Sequence, residues 1–210
     1  IMIKIMDIKH NLYGIFPTPI YISKLNKFTK KELNYVDKLS LNINKNMGNV
    51  SSKNSYVLND KPFNNIKKQL LNHITKYFDE VISTSDKIVP YITQSWLNYT
   101  KENEYHHSHA HPNSFVSGVL YINANKENDK IVFEKNKYQG IDLTKKDFNL
   151  YNSDSWFFPV HTGDLIMFPS DTQHKVEYKR GNNIRTSIAF NIYIKGIVGN
   201  LIKLTELKLW

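Results

Sequence analysis

The sequence predicts a mainly β domain with flanking helices, of the double-stranded β-helix class (a jelly roll, cupin-like). The second half of the 210 residues contains about eight short runs rich in Val, Ile, Tyr, Phe and Trp, separated by clusters of Asn, Asp, Gly and Lys. No helical periodicity interrupts these runs. Two helical segments precede them, so we expect these N-terminal helices to pack on the outside of one sheet.

Residues 1–87 form the predicted support for this core. Residues 13–24 are expected to be extended, because two prolines within them oppose a helix. Residues 44–59 are polar and rich in Asn and Ser, which is typical of a loop.

Two helices are predicted in this part of the chain. The tetrapeptide TKKE, from Thr29 to Glu32, has the form of a capping box and opens a helix to about residue 43. Asp60 is the expected cap of a second helix, whose apolar residues recur every three or four positions as far as Val81.

The strands of the predicted core lie within residues 88–195. After them, residues 196–210 form an apolar tail, which we expect to dock on the sheet or on a second subunit of a homodimer. Residues 1–210 are therefore expected to form a single domain. The predicted strands are 89–99, 105–111, 114–123, 130–135, 155–160, 164–168, 173–179 and 184–195.

Composition excludes several classes of site. The chain has no cysteine, so disulfides, thiolate zinc sites, iron–sulfur clusters and a cysteine nucleophile are all ruled out. No apolar stretch is long enough for a transmembrane helix, and the start is too interrupted by charge for a secretory signal, so we expect no membrane partner and a cytoplasmic location. The net charge of +9 comes from scattered lysines, which does not favour a nucleic-acid partner.

Four of the eight histidines lie in HHSHAH, residues 106–111. Alternate residues of a strand share a face, so the three odd-numbered histidines should point one way and His106 the other, into solvent. Two imidazoles two residues apart can bind one metal if a third ligand comes from elsewhere. His174 is the leading candidate and His161 the second. Iron, zinc and copper all accept such a set, whereas a histidine-rich surface loop is the alternative without a metal.

Three further segments follow HAHP in a characteristic order: SGVLYI, GDLIMFPSDTQH and RTSIAFNI. Together they resemble the 2-oxoglutarate and Fe(II)-dependent oxygenases, and most of all a prolyl-hydroxylase-like group found in bacteria and phages. The resemblance runs from about Trp96 to Ile194. Members of that superfamily have the double-stranded β-helix fold, which agrees with the strand pattern.

The resemblance implies a set of iron ligands. The usual set is His-x-Asp/Glu and a distant His, so His109 is the implied first ligand and His174 the distal one. His111 stands where the carboxylate usually lies, which makes the metal site one charge unit more positive. A carboxylate from Asp171 or Glu104 is the alternative second ligand.

The resemblance also implies a site for 2-oxoglutarate. Its C5 carboxylate requires a fixed, permanently charged donor, which Arg185 supplies. Ser187, Tyr121 and Asn98 are the further expected contacts. Strand alternation places Asn191 on the same face as Arg185 and Ser187, where it lines the substrate or joins the network inside the sheet.

Other aromatic residues and one histidine are candidates for the wall of the site. Tyr99 and Tyr105 are expected to line the mouth of the barrel, and His107 to face the substrate. Trp96 is expected in the core rather than in the substrate cavity.

By this resemblance, the expected activity is that of a dioxygenase. O2 and 2-oxoglutarate are consumed, a C–H bond of a peptide or protein side chain or of a small molecule is hydroxylated, and succinate and CO2 are the co-products. Loop 136–154 is expected to close over the substrate. Two alternatives remain: a cupin-type three-histidine metalloenzyme that uses no 2-oxoglutarate, and a non-enzymatic jelly-roll module for binding or assembly.

Overall fold

Two antiparallel sheets make up most of the fold in the computed structural model, which describes residues 9–25, 27–135, 141 and 143–210. Among the described residues, the large sheet has eight strands and the small sheet four. This is the predicted jelly-roll class, with few helices, and the fold-class prediction is confirmed.

The strands of the large sheet are β1 (Tyr21–Lys24), β2 (Ile43–Lys45), β3 (Val50–Ser52), β4 (Lys87–Thr100), β6 (Val116–Asn123), β9 (Asp164–Pro169), β11 (Arg185–Val198) and β12 (Leu207–Leu209). Those of the small sheet are β5 (His106–His109), β7 (Lys130–Glu134), β8 (Ser155–Pro159) and β10 (His174–Val176). The strand order is β1-β9-β6-β11-β4-β3-β2 in the large sheet, with β12 added along β11, and β5-β10-β7-β8 in the small sheet. Helices α1 (Lys30–Leu39) and α2 (Asn64–Tyr77) precede β4.

Helix α1 begins at the predicted capping box. The Thr29 hydroxyl accepts the Glu32 backbone N–H at 3.2 Å, and the Glu32 carboxylate accepts the Thr29 backbone N–H at 2.6 Å. The helix ends at Leu39, four residues before the predicted end, because the chain turns there into β2.

The predicted cap of the second helix is wrong. Asp60 precedes a short 3-10 turn, and α2 starts only at Asn64. The Asp60 carboxylate instead accepts hydrogen bonds from the Tyr35 hydroxyl at 2.8 Å and the Asn54 amide at 2.7 Å. It therefore ties α1 to the segment after β3 rather than capping α2.

Two segments differ from the prediction. One was expected to be a loop but contains strands, and the other was expected to be extended but forms a strand only at its end. Residues 44–59 contain part of the β2–β3 hairpin, whose turn includes Gly48 with a φ of +89°. A polar, Asn/Ser-rich sequence can pair as a short edge strand when a neighbouring strand, here β4, offers its backbone. Of residues 13–24, only the last four form a strand, β1.

The C-terminal tail docks on its own sheet. Leu207–Leu209 pairs antiparallel with Gly196–Val198 at the end of β11. Ile202, Leu204 and Trp210 remain more than 90% exposed. Within the described ranges, no helix combines the length and apolar character needed to span a bilayer.

The core has two layers, one on each face of the large sheet. On the outer face, Ile66, Leu70 and Ile74 of α2 pack with Ile188 and Phe190 of β11. The inner layer lies between the two sheets and is formed by the buried side chains of Val119, Tyr121, Ala124, Ile131, Phe133, Val160, Ile166 and Phe168. The N-terminal helices therefore support one sheet, and the other face of that sheet is free to build a site.

Gly118 in β6 is required for the outer layer. A Cβ at this position would lie 2.2 Å from the Phe190 ring on the neighbouring strand. We expect Gly118→Ala to lower the free energy of unfolding by about 1–3 kcal/mol, because overpacking outweighs the small gain in strand propensity. Urea denaturation measures this loss.

Gly14→Ala is the matched control, because its Cβ would come no closer than 3.8 Å to a ring carbon of Tyr151. It should leave the denaturation midpoint unchanged. Equal midpoints for the two variants would contradict the packing argument.

Candidate metal centre

Strand pairing brings three histidines together. His109 on β5 and His174 on β10 are direct partners across the small sheet. His111 follows β5, and its backbone N–H donates to Ser170 at 2.8 Å. The ligand atoms of the three side chains lie within 4.8 Å of one another. In the described part of the chain, this is the one group of histidines and acids arranged to hold a metal.

Each ring has one nitrogen fixed by a hydrogen bond. The Nδ1 atoms of His109 and His174 lie 2.8 Å and 3.0 Å from the backbone carbonyls of His107 and Thr172. His111 Nδ1 lies 2.6 Å from the side-chain oxygen of Asn191. Carbonyl and amide oxygens accept, so Nδ1 carries the proton in all three rings. The unprotonated Nε2 atoms remain as metal ligands.

Burial keeps these rings neutral. Desolvation lowers the pKa of His109 to about 4 and of His174 to about 3, and it also lowers the pKa of His111. Neutral imidazole is the form that binds a metal, so the ligands need not lose a proton at neutral pH. Three neutral donors suit iron, zinc or copper.

The other candidate ligands lie elsewhere. His161 is exposed, and its ring contacts the Thr162 carbonyl. Asp171 is exposed, and the Glu104 carboxylate accepts the Lys101 backbone N–H at 2.7 Å. None of the three belongs to the histidine group.

A narrow inner cavity joins the histidines to the candidate 2-oxoglutarate residues. Arg185, Asn98, Ser187 and Tyr121 all line it, together with the three histidines. Ser187 in β11 lies between Asn98 of β4 and Tyr121 of β6 in the strand register. The sheet therefore presents these three polar side chains as one row beside Arg185.

Arg185 is a buried cation in this cavity. It is 3% exposed, its Nε has no hydrogen-bond partner, and its Nη1 makes one long contact of 3.4 Å to the Lys130 carbonyl. Among the described residues, no carboxylate lies within ion-pair distance of it: the buried Asp129 acts on it only at longer range and lies 3.8 Å from the Lys179 ammonium. Asn98 Oδ1 is likewise buried without a partner. Such groups are costly unless a ligand satisfies them, and a carboxylate fits Arg185 best.

Asn191 contributes to the site in two ways. It lies on the same face of β11 as Arg185 and Ser187, lines the outer cavity, and holds the His111 ring. Its amide is therefore both a wall of the site and a support for one ligand.

One histidine expectation requires correction. His106 is half-buried and stacks on His109 at a ring-centroid distance of 4.5 Å, rather than pointing into solvent. The pairing of β5 with β10 shifts register between His174 and Val176, which breaks simple alternation at this end of the strand. His107 lines the outer cavity.

The aromatic expectations are also revised. Trp96 lines both cavities, with its ring 5.7 Å from that of His111, and does not lie in the core. Tyr99, expected at the mouth, points to the opposite face and donates its hydroxyl to the Val36 carbonyl of α1. Because Asn98 faces the cavity, its neighbour must face the helices. Tyr105 packs against Gly48 and Tyr178 and lines neither cavity.

The outer cavity contains residues that sequence reasoning missed. The β2–β3 hairpin contributes Asn44, Asn46 and Ser51, and β4 contributes Thr93 and Gln94. The only signal in the sequence is the Asn/Ser-rich composition of residues 44–59, which by itself predicts a loop. Of the proposed lid 136–154, residues 136–140 and 142 lie outside the described residues.

Residues 94–191, just under half of the chain, match the family model described as "Putative 2OG-Fe(II) oxygenase". This segment is similar to the 2OG-Fe(II) oxygenases. The predicted resemblance is confirmed. No curated protein sequence matches the chain.

Three solved structures share the fold of this chain. HygX from Streptomyces hygroscopicus, crystallised with nickel, 2-oxoglutarate and hygromycin B, matches with a TM-score of 0.57 at 9% identity, over 83% of this chain and 82% of that one. A prolyl hydroxylase from Trichoplax adhaerens, in complex with a peptide fragment of hypoxia inducible factor, matches with a TM-score of 0.53 at 14% identity, over 83% of each chain. The epimerase SnoN of nogalamycin biosynthesis matches with a TM-score of 0.55 at 10% identity, over 83% of this chain and 78% of that one.

Asn191 should support metal binding through His111. We expect Asn191→Leu to weaken metal affinity by about 10–100-fold, because the ring loses the hydrogen bond that fixes its tautomer and orientation. Titration with Co(II) or Zn(II), followed by calorimetry, measures the change.

Asn123→Leu is the control, since its amide donates to the Ile184 carbonyl outside both cavities. Asn191→Asp keeps an acceptor and should retain the affinity. Wild-type affinity in Asn191→Leu would show that this hydrogen bond does not orient the ligand.

Proposed function

We propose that the chain is an Fe(II)- and 2-oxoglutarate-dependent dioxygenase that hydroxylates a C–H bond of a peptide or protein side chain or of a small molecule, with succinate and CO2 as co-products. One observation carries the proposal: a buried guanidinium without a carboxylate partner shares a cavity with three inward-facing imidazoles. Metal chemistry alone accounts for the imidazoles. A cosubstrate with a free carboxylate accounts for Arg185 as well.

The donor set fits iron. His109, His111 and His174 would hold the metal from one side through Nε2, leaving its other positions open to ligands. Bound together, Fe(II) and 2-oxoglutarate supply the activation of O2 that oxidation of an unactivated C–H bond requires. The protein contributes the fixed ligands, the anchor and the exclusion of water.

Each residue of the inner cavity has a distinct task. Arg185 would bind the C5 carboxylate of 2-oxoglutarate through two parallel N–H bonds. The hydroxyls of Ser187 and Tyr121 would donate to the same carboxylate. Burial raises the pKa of the Tyr121 hydroxyl to about 12, so it keeps its proton and remains a donor. The Asn98 amide would complete the polar row by donating its N–H to the cosubstrate.

The proposed complex keeps one unit of net positive charge. The dianionic cosubstrate offsets the charge of a divalent metal, and the Arg185 cation beside the C5 carboxylate is left over. His111 in place of a carboxylate leaves one unit more positive charge than the usual set of ligands. This site should therefore depend more strongly on its anionic cosubstrate than a site with a carboxylate ligand.

We also propose that the chain acts as one domain in which residues 88–195 carry the site, residues 1–87 support the large sheet, and residues 196–210 extend it. The exposed side chains of Ile202, Leu204 and Trp210 make a homodimer a testable hypothesis, which sedimentation velocity would decide.

A three-histidine dioxygenase that uses no 2-oxoglutarate is the second candidate, favoured by His111 at the carboxylate position. The role of Arg185 distinguishes the two candidate functions. An enzyme without 2-oxoglutarate has no use for a buried cation here, so Arg185→Leu would leave its metal chemistry intact.

Anaerobic addition of Fe(II) and 2-oxoglutarate tests the proposed function. We expect a visible charge-transfer band that requires both components. Arg185→Leu should weaken 2-oxoglutarate binding by about 100-fold or more, because a buried carboxylate loses its charged partner. Visible spectroscopy across a 2-oxoglutarate titration measures both effects.

Arg180→Leu is the matched control, since Arg180 is exposed and is the only other arginine. It should bind 2-oxoglutarate like the wild type. Urea denaturation would confirm that both variants fold. A band that does not need 2-oxoglutarate, or no band in the intact protein, would overturn the proposal.

A further inference from the structure

We propose that the substrate is an uncharged, polyhydroxylated molecule: a sugar or a glycoside unit bound in the outer cavity. This inference rests on the proposed function, because two of the three candidate metal ligands, His109 and His111, line the outer cavity. It adds the chemical class of the substrate, which neither the metal ligands nor Arg185 determines.

The outer cavity lacks charged side chains. It has a volume of about 680 Å³, and none of the described residues that line it is Lys, Arg, Asp or Glu. The chain as a whole is 22% charged, with a net charge of +9. A charged group bound here would lose water without gaining an ionic partner, which is unfavourable. The cavity therefore selects against acidic peptides, nucleic acid and amino-acid zwitterions.

The lining consists largely of amides and hydroxyls. Within the described ranges, the side chains of Asn44, Gln94 and Asn113 line the cavity and make no hydrogen bond to the protein. An amide offers a donor and an acceptor side by side. Neighbouring hydroxyls of a sugar present the same combination, so each free amide can bind two of them.

Trp96 supplies an apolar platform among these polar groups. Its half-buried ring lines the cavity and lies 5.7 Å from the ring of His111. An aromatic face packs well against the C–H face of a sugar ring. A sugar stacked on Trp96 would present its C–H bonds next to the metal ligands, where the proposed reaction takes place.

Saturation-transfer difference NMR on the full chain tests this inference. The probes are a set of neutral mono- to tetrasaccharides, with glucuronic acid and glucosamine as charged counterparts and acetyl-Ala-Pro-Gly-amide as an uncharged peptide. We expect at least one neutral saccharide to bind, in preference to the charged sugars and the peptide. Trp96→Ala should weaken that binding by about five- to tenfold, and Trp96→Phe should largely restore it.

Trp156→Ala is the matched control, because Trp156 is 40% exposed on β8 and lines neither cavity. It should bind saccharide like the wild type. Preference for the peptide or a charged sugar, equal binding in Trp96→Ala, or no saccharide binding would overturn the inference.

The same protein samples also undergo the Fe(II) and 2-oxoglutarate titration. A normal charge-transfer band without saccharide binding would contradict the proposed substrate class but not the proposed function. Loss of the band in the intact protein removes the proposed function itself.

Discussion

The two-residue alternation along β11 is the constraint on which the rest of the structure depends. Its inward positions carry Arg185, Ser187 and Asn191, and its outward positions carry Ile188 and Phe190. One strand therefore determines both where the polar site lies and how the sheet packs on the helices. A slip of one residue would bury the polar set among the helices and turn the apolar set into the cavity. The long pairings with β4 and β6 oppose such a slip.

The polar interior is stable only as a complete set. A buried arginine without a carboxylate and an asparagine with a free oxygen each carry a desolvation cost. The large apolar layers on both faces of the sheet offset it. The empty site is thus stabilised by the apolar layers rather than by its own polar contacts. Substitutions in the outer layer should therefore affect the site only through the stability of the whole domain.

Sequence reasoning recovered what depends on periodicity and chemical type. The jelly-roll class, the capping box at Thr29 and the convergence of His109, His111 and His174 followed from strand alternation, spacing and resemblance. Predictions from the sequence failed where a side chain's position depends on contacts with distant parts of the chain. The Asp60 carboxylate binds Tyr35 instead of capping a helix, and a register shift turns His106 inward. The outer cavity was missed because its walls come from β2, β3 and β4, which no local pattern shows to be adjacent.

The origin of the three histidines in the two sheets has a mechanical consequence. His109 and His174 belong to the small sheet, whereas His111 is tied through Asn191 to the large one. A metal held by all three would act as a cross-link across the sandwich, and its binding energy would add to the folding energy of the whole domain. Metal supply would then set how long the protein lasts in a cell as well as how much of it is active, since the unloaded chain would open more often to proteases.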